Sequence, residues 1–166
     1  MNRIVVYSSK TGFTEKYANW IAEALSCEAV ELKKVDLSKL ADYDQVIYGG
    51  NIMAGMVSGY DKIKPLNLKE IIVFCSGMGV ATDKVRETIA KQNVIPVENL
   101  FYYEGGYAPS RVGFMGRMIL KVIAFSLRNK KEKTPDDLHM LEAMKGADNT
   151  NKEAIKLLVE KANQEE

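Results

Sequence analysis

Short apolar runs rich in β-branched residues alternate along this chain with segments of helical periodicity. The runs that predict strands are Arg3–Tyr7, Glu28–Lys34, Gln45–Tyr48, Glu70–Cys75 and Asn99–Tyr103. Three of them are nearly all apolar, which is typical of parallel strands that helices cover on both faces. Because crossovers between parallel strands are right-handed, the alternation predicts an α/β fold, a five-stranded parallel sheet in the order 2-1-3-4-5 with helices on both faces.

Apolar residues at helical spacing mark three segments, Phe13–Leu25, Thr82–Gln92 and Arg117–Arg128. After the third one, Thr134 or Asp136 is placed to cap a further helix. Thr150 is predicted to cap a final helix that runs through Lys161, with Glu153 completing a capping box. The 166 residues contain no repeat or linker, so we expect residues 1–166 to form a single domain.

The charges of the chain nearly cancel, since Lys and Arg number 23 and Asp and Glu 22. This balance gives no electrostatic footprint for nucleic acid, which is not expected as a partner. Cys27 and Cys75 lie in separate elements without disulfide or thiolate-metal spacing, so no metal site is predicted and a reducing compartment is expected. With no secretion signal and no apolar run of about 18 residues, we expect a cytoplasmic protein without an ordinary transmembrane helix.

The segment Ser8–Thr14 follows the first predicted strand and opens the first predicted helix. It offers four hydroxyl groups, one glycine and the amides of a helix N-terminus, all of which can surround a phosphate. Lys10 can add a charge-assisted hydrogen bond. The simpler alternative is that serine and threonine only cap the helix. Two such residues suffice for a cap, however, and here hydroxyls extend through the whole turn.

Other phosphate-binding motifs do not occur at this position. Neither GxxxxGK(S/T) nor GxGxxG follows the first strand, and Gly77-Met78-Gly79 lacks a third glycine. The stretch from Val6 to Glu15 instead resembles the flavodoxin signature, in which a strand is followed by (S/T)-x-T-G-x-T and a helix. The resemblance implies a flavodoxin-like three-layer sandwich with FMN as cofactor. By position, the residues that would hold its phosphate are Ser9, Lys10, Thr11, Gly12, Phe13 and Thr14.

Glycine-rich segments follow the third and fourth predicted strands, at Gly49–Gly55 and Ser76–Gly79. A flavin whose phosphate lies after the first strand would reach the carboxyl ends of these strands, beside the topological switch point. Glycine permits close approach of the backbone to the ring edges. The alternative is that these glycines only form tight turns. The predicted ring contacts are Gly49, Gly50, Asn51, Ile52, Met53, Ser76, Gly77, Met78 and Gly79.

A second resemblance extends over most of the chain. The patterns Tyr48–Ile52 and Glu104–Tyr107, with the apolar helix around Met118–Ile123, are similar to those of flavodoxin-type, menaquinone-dependent protoporphyrinogen oxidases. That family implies an FMN enzyme that passes electrons from a porphyrinogen to a quinone. It also implies an inserted helix-loop segment, here at about residues 109–148. Tyr107 and Arg111 are then the candidate substrate contacts, and no catalytic residue is singled out.

Neither glycine-rich segment contains a carboxylate. An acidic surround is what gives a flavin shuttle a very negative potential, so its absence favours an oxidoreductase with a quinone or porphyrinogen-like substrate. The first alternative is a flavodoxin-like electron shuttle between redox protein partners. The second is a flavin-free binding module, because fold does not dictate function.

The helix predicted at residues 117–128 is the most apolar of the chain, and basic residues surround it. We expect its apolar side chains to pack on the sheet while the basic ones are solvated. The alternative is peripheral contact with a membrane, at its inner face. His139, the single histidine, has no partner spacing and is expected at the surface. Cys75 is expected in the core, and Trp20 is expected to pack from the inward face of the first helix.

Overall fold

Parallel strands form the centre of the molecule in a computed structural model that describes residues 1–164; residues 165 and 166 lie outside the description. They are β1 (Arg3–Ser8), β2 (Glu28–Glu31), β3 (Gln45–Met53), β5 (Ile71–Gly77) and β6 (Leu100–Glu104). A short strand, β4 (Met56–Val57), pairs antiparallel with the end of β3. The order is β2-β1-β3-β5-β6. Since β5 and β6 are the fourth and fifth parallel strands, the predicted fold and strand order are confirmed.

Helices surround this sheet: α1 (Phe13–Leu25), α2 (Tyr60–Ile63), α3 (Asp83–Asn93), α4 (Phe114–Asn129), α5 (Pro135–Ala143) and α6 (Lys156–Asn163). Helix α1 has the predicted bounds, and α3 and α4 overlap the segments predicted for them. Between β2 and β3 the chain forms 3-10 turns instead of an α-helix, at Leu32–Lys34 and Leu37–Asp42. In the described part of the chain, no helix combines the length and apolarity needed to cross a bilayer.

Alternate residues of each central strand point to opposite sides of the sheet, as strand geometry requires. One set packs against α1 and α6, and it includes Val5, Ile47 and Phe74. The other set packs against α2 and α3, and it includes Val6, Tyr48 and Cys75. Trp20 packs against the first layer, edge to face with Tyr17 at 5.4 Å between ring centroids. Cys75 is buried in the core as expected, and Trp20 packs on the inward side of α1 as expected but stays partly exposed.

Helix capping follows the prediction in one place and departs from it in another. Thr134 Oγ1 accepts a hydrogen bond from Asp137 N, and the Asp137 carboxylate accepts one from Thr134 N, so α5 begins with a capping box. The cap predicted at Thr150 is wrong, because its hydroxyl is bonded to the side chain of Asp148. Asn151 takes its place and caps a 3-10 turn that leads into α6.

Helix α4 does not pack on the sheet, and the expectation that it would is wrong. None of its residues is buried, and its neighbour in the structure is α5. The reason is that both faces of the sheet are already covered, one by α1 and α6 and the other by α2 and α3. No strand surface is left for a further apolar helix.

Candidate functional site

The segments predicted to bind a cofactor meet along one edge of the sheet, where the parallel strands end. Ser8 of β1 lies beside Gly50 of β3. Asn51 of β3 lies beside Ser76 of β5. The next strand is in register as well, since Gly77 of β5 pairs with Glu104 of β6. Residues far apart in sequence are thus brought to one ridge at the carboxyl ends of the strands, the usual ligand position in such sheets.

The phosphate loop, residues 8–14, turns sharply between β1 and α1. Gly12 has φ +92°, in the left-handed region that favours glycine. Its N–H donates to Ser9 Oγ at 3.1 Å, so the serine hydroxyl shapes the loop. No side chain caps α1, which leaves its first-turn N–H groups available to a ligand. The loop therefore presents free donors and the positive end of a helix dipole.

Thr14 links the phosphate loop to the second of the two glycine-rich segments, Ser76–Gly79, which is called the second ring segment below. Its Oγ1 lies 2.8 Å from Ser76 Oγ in a hydrogen bond, and both residues are buried. The two residues come from segments that are 62 positions apart in sequence. Because the Thr14 hydroxyl is engaged with Ser76, its contribution at this edge is to fix the spacing between the two segments.

Gly49 and Gly50 lie inside β3, which continues to Met53 and does not end at Tyr48 as predicted. A Cβ on Gly49 would overlap the ring of Phe74 on the neighbouring strand. A Cβ on Gly50 would lie 2.6 Å from Val57 Cγ1. These glycines permit close packing within the sheet. Their contact with a flavin ring stays a prediction.

The end of β3 folds back on β4 as a hairpin, with Ile52 opposite Val57 and Met53 opposite Met56. Its two turn residues both have positive φ, 50° at Ala54 and 78° at Gly55, as hairpins of this length require. Met53 and Met56 remain 46% and 52% exposed. Met56 was missed in the sequence, since the two-residue Ala-Gly turn that brings it beside Met53 was read as part of a loop.

Asn93, the last residue of α3, holds this hairpin in place. Its Oδ1 accepts from Val57 N at 2.9 Å and its Nδ2 donates to Gly55 O at 2.9 Å. The side chain is buried, with 4% exposure. Both bonds satisfy backbone groups that would otherwise be unpaired in the interior. The hairpin thus has a fixed position relative to the sheet.

Asn51 presents an acceptor without a partner. Its Oδ1 is inaccessible to solvent and has no hydrogen-bond donor within residues 1–164. Buried polar atoms are nearly always paired, so such an atom beside a predicted cofactor site calls for an explanation. A ligand that brings an N–H or O–H donor to this edge would supply the missing bond.

The second ring segment is held by residues that the sequence did not indicate. Tyr102 OH donates to Gly79 O at 2.8 Å. The next two amides donate to carboxylates, Val80 N to Asp136 Oδ1 at 3.1 Å and Ala81 N to Glu104 Oε1 at 3.0 Å. Asp136 lies on α5, so the segment predicted as an insertion anchors this loop. No sequence spacing relates these residues to the loop.

His139 also lies at this place and is not the free surface histidine that was expected. Its Nε2 is 3.7 Å from Glu104 Oε2, and its side chain is 31% exposed. The expectation failed because the tertiary structure brings His139 of α5 close to the carboxylate of Glu104, which is 35 positions earlier in the chain.

Two phenols near the strand ends stay protonated over the ordinary range of pH. Burial and the hydrogen bond that Tyr7 OH donates to Glu15 raise the pKa of Tyr7 to about 12. Burial likewise raises the pKa of Tyr102. Both groups therefore act as hydrogen-bond donors, and Tyr102 keeps its bond to the second ring segment.

Arg111 lies on the phosphate loop although it is a hundred positions away in sequence. Its Nη1 donates to Thr11 O at 3.1 Å. The same atom is 2.7 Å from the place where a Cβ on Gly12 would be. A guanidinium at this position adds a positive charge to the free amides of α1. Arg111 was predicted as a substrate contact, and the structure places it beside the predicted phosphate site.

The other predicted contacts lie around this loop. Tyr107 is in a short strand, β7 (Gly106–Tyr107), which pairs antiparallel with β8 (Ala147–Asp148). The ring of Phe13 packs close to Gly106. Lys10 lines a cleft of about 360 Å³ with residues of the β2 side, including Leu32 and Lys62. The second ring segment does not line this cleft.

Comparison with known proteins identifies one family. A family model described as a flavodoxin domain matches residues 4–135. A comparison with curated proteins gives no match. Oxidised Flavodoxin 2 from Bacillus cereus is 18% identical, with 96% of this chain and 99% of that chain covered and a TM-score of 0.48. Oxidised Flavodoxin 1 from the same organism is 19% identical, with 67% of this chain and 89% of that chain covered and a TM-score of 0.46. A flavoprotein in complex with FMN from Lactobacillus acidophilus is 14% identical, with 62% of this chain and 90% of that chain covered and a TM-score of 0.40.

Proposed function

The chain belongs to the flavodoxin domain family, and on that basis we propose that it is an FMN-dependent oxidoreductase acting on a quinone or a porphyrinogen-like molecule. Family membership indicates FMN as the cofactor and flavin-based electron transfer as the kind of chemistry. The proposed substrate class goes beyond what family membership indicates. It is supported by the residues that surround the carboxyl ends of the strands.

One observation carries the cofactor assignment. The uncapped N-terminus of α1 and the guanidinium of Arg111 face the same loop, at the end of β1. Free amides and one cation are what a phosphate dianion needs. The orphaned acceptor of Asn51 lies on the adjacent strand β3, one residue beyond the partner of Ser8. The residues present therefore fit FMN, with its phosphate at Gly12 and Arg111 and its ring towards Asn51 and the second ring segment.

Bound FMN supplies reversible transfer of one or two electrons. The chain's own residues bind and orient it. First-turn amides of α1 and Arg111 hold the phosphate, and Tyr102 and Asp136 fix the loop at residues 77–81 against which the ring edge would lie. The bond between Thr14 and Ser76 sets the distance between these two places.

The substrate proposal is supported by the surface next to the ring position. Met53 and Met56 project from the hairpin with about half of their area exposed, and they offer an apolar, polarisable surface. Arg111 adds a cation at the phosphate loop. A flat apolar molecule with carbonyl or carboxylate groups has the matching chemistry. Quinones and porphyrinogens both meet this description.

A second candidate, an electron shuttle between proteins, is favoured by a different observation. The ring segments themselves contain no carboxylate, which by sequence alone disfavours a low-potential shuttle. The structure, however, brings the carboxylates of Glu104 and Asp136 to the amides of Ala81 and Val80, next to the second ring segment. Negative charge at this place raises the energy of a reduced, anionic flavin and lowers its potential.

The test begins with purified holoprotein, whose flavin is released and identified. The protein is then reduced anaerobically and mixed with a water-soluble quinone, and in a second experiment the oxidised protein is given a porphyrinogen. The proposal expects rapid reoxidation by the quinone or reduction by the porphyrinogen, at saturable rates. A stepwise reductive titration of the flavin is recorded as well. If neither compound reacts and this titration resolves two separate one-electron potentials, the shuttle is the correct function.

A matched pair of variants locates the substrate. Met56→Gln, on the exposed hairpin methionine that is not a predicted ring contact, is expected to raise the KM for the quinone severalfold and leave the flavin spectrum unchanged. Met115→Gln, on a more exposed methionine of α4, serves as the control and should change nothing. Equal effects of both substitutions would remove the hairpin from the substrate site.

The proposal includes a cytoplasmic location. Cys27 and Cys75 are both free thiols, and burial raises the pKa of each. Thiols that stay protonated and unpaired fit a reducing compartment.

A further inference from the structure

Helix α4 turns an apolar face to solvent over its whole length. Its large apolar side chains are between 46% and 72% exposed at Phe114, Met115, Met118, Ile119, Val122 and Phe125. The less exposed positions, Gly116, Leu120, Ala124 and Leu127, recur at helical spacing and form the opposite face. Since α4 packs on α5, the apolar face has no partner in the described part of the chain.

Basic side chains run along one edge of this apolar face. Arg117, Lys121 and Arg128 are spaced by four and seven residues, which places them on one side of the helix. Within residues 1–164 none of the three side chains has a hydrogen-bond or ion-pair partner. Between Glu104 and Glu132 the chain has six basic residues and no acidic one. The surface around α4 is therefore both apolar and cationic.

We propose that α4 docks flat on a membrane that contains anionic phospholipids. Its apolar face enters the boundary between headgroups and acyl chains, and its basic edge contacts the phosphates. Sixteen residues give a helix of about 24 Å, which suits a position in the membrane plane. Interfacial helices combine large apolar residues on one side with Lys and Arg at its border, as α4 does.

Charge decides against a second copy of the chain as the occupant of this face. Two α4 helices in contact would bring their basic edges together, and no acidic residue lies on either helix to compensate. An anionic lipid surface complements the same charges, and each basic residue close to it adds to the attraction. The inference goes beyond the proposed redox activity, because it stands on the exposed residues of α4 and does not require bound FMN.

Docking of α4 on a membrane would also place the predicted cofactor site near the lipid. Helix α4 begins at Phe114, three residues after Arg111, whose guanidinium lies on the phosphate loop. The predicted cofactor site and the membrane-facing helix are thus joined by a very short connection. If the proposed function is correct, this arrangement gives the flavin access to a substrate dissolved in the bilayer.

The experiment is sedimentation of the full-length holoprotein with vesicles. Phosphatidylcholine vesicles are compared with vesicles that also contain phosphatidylglycerol, at low and high salt. We expect binding to the mixed vesicles that is at least about tenfold stronger than to phosphatidylcholine alone and that weakens as salt rises. Absence of binding to the mixed vesicles overturns the proposal.

Two double variants assign the binding to α4. Val122→Ser with Phe125→Ser removes part of the apolar face, and Lys121→Gln with Arg128→Gln removes part of the basic edge. Each is expected to lower the affinity for mixed vesicles about tenfold or more. Because these side chains are not buried, the melting temperature should stay unchanged.

Matched controls are available on other helices. Leu157→Ser replaces a 68% exposed leucine of α6, and Lys91→Gln replaces an exposed lysine of α3. Neither should alter vesicle binding. Binding that survives both α4 variants, or that falls equally in the controls, overturns the proposal. So does a stable dimer without lipid that the Val122 and Phe125 substitutions dissociate, since the apolar face would then belong to a second copy. Flavin absorbance, recorded in parallel, reports separately on the redox assignment.

Discussion

Replacing Arg111 by glutamine should weaken the binding of FMN and leave the binding of riboflavin almost unchanged. In the structure the guanidinium lies over the phosphate loop, bonded to Thr11 O at 3.1 Å and close to Gly12. Riboflavin has the same ring as FMN but no phosphate. The difference between the two ligands therefore isolates the contact between Arg111 and the phosphate.

The size of the effect follows from the exposure of the arginine. A hydrogen bond to a charged group contributes about 1.5–3 kcal/mol. Arg111 is exposed, so screening by solvent reduces the contribution to about 1–2 kcal/mol. With about 1.4 kcal/mol for each tenfold change in Kd, FMN affinity should fall about five- to thirtyfold.

The assay is titration of the apoprotein with each flavin, followed by the quenching of flavin fluorescence. Arg117→Gln provides the matched control, because Arg117 is an exposed arginine of α4 without a partner among residues 1–164. Its Kd for both flavins should equal that of the unaltered protein. Raising the salt concentration should reduce the FMN preference of the unaltered protein and have little effect on Arg111→Gln.

Two results would refute this reasoning. If Arg111→Gln weakens FMN and riboflavin by the same factor, the arginine acts on the loop or the ring and not on the phosphate. If FMN affinity does not change at all, the phosphate lies elsewhere and the assignment of the loop at residues 8–14 is wrong.

Three further predictions concern the framework of the site. Asn93→Leu removes both side-chain bonds to the hairpin β3–β4 and leaves buried backbone groups unpaired, so urea unfolding should show a loss of about 2–3 kcal/mol. Gly49→Ala should cost about 1–3 kcal/mol by overlap with Phe74, and the added substitution Phe74→Leu should recover part of it in a double-mutant cycle. Hydrogen bonds from Lys130 and from the start of α5 lower the pKa of Asp137 to about 2. Because the ordinary value is about 3.9, its stabilisation is complete above about pH 4 and is lost as the pH falls towards 2, and Asp137→Asn should abolish this part of the acid dependence of the melting temperature.

Local features of the fold were predictable because they depend on neighbours in sequence. The bounds of α1 follow from apolar periodicity and a glycine at its start, and both are properties of a short segment. The strand order followed from the alternation of strands and helices with right-handed crossovers. By contrast, the end of β3 was placed too early, since Gly49 and Gly50 resemble a turn until Phe74 and Val57 are seen to pack against them.

The candidate site shows the same division. The phosphate loop could be recognised because its donors are consecutive residues. The contacts of Arg111 with Thr11, and of Glu104 and Asp136 with the second ring segment, join positions between 23 and 100 residues apart. No local pattern encodes such contacts.

The sequence by itself determined the α/β alternation, the phosphate loop and the presence of an apolar, basic helix. Only the tertiary structure decided which helices cover the sheet. Helices α1, α2, α3 and α6 occupy its two faces, and α4 is left exposed. The physical reason is that periodicity reports which side chains prefer to leave water, whereas the surface that receives them depends on the elements that have already filled the available space.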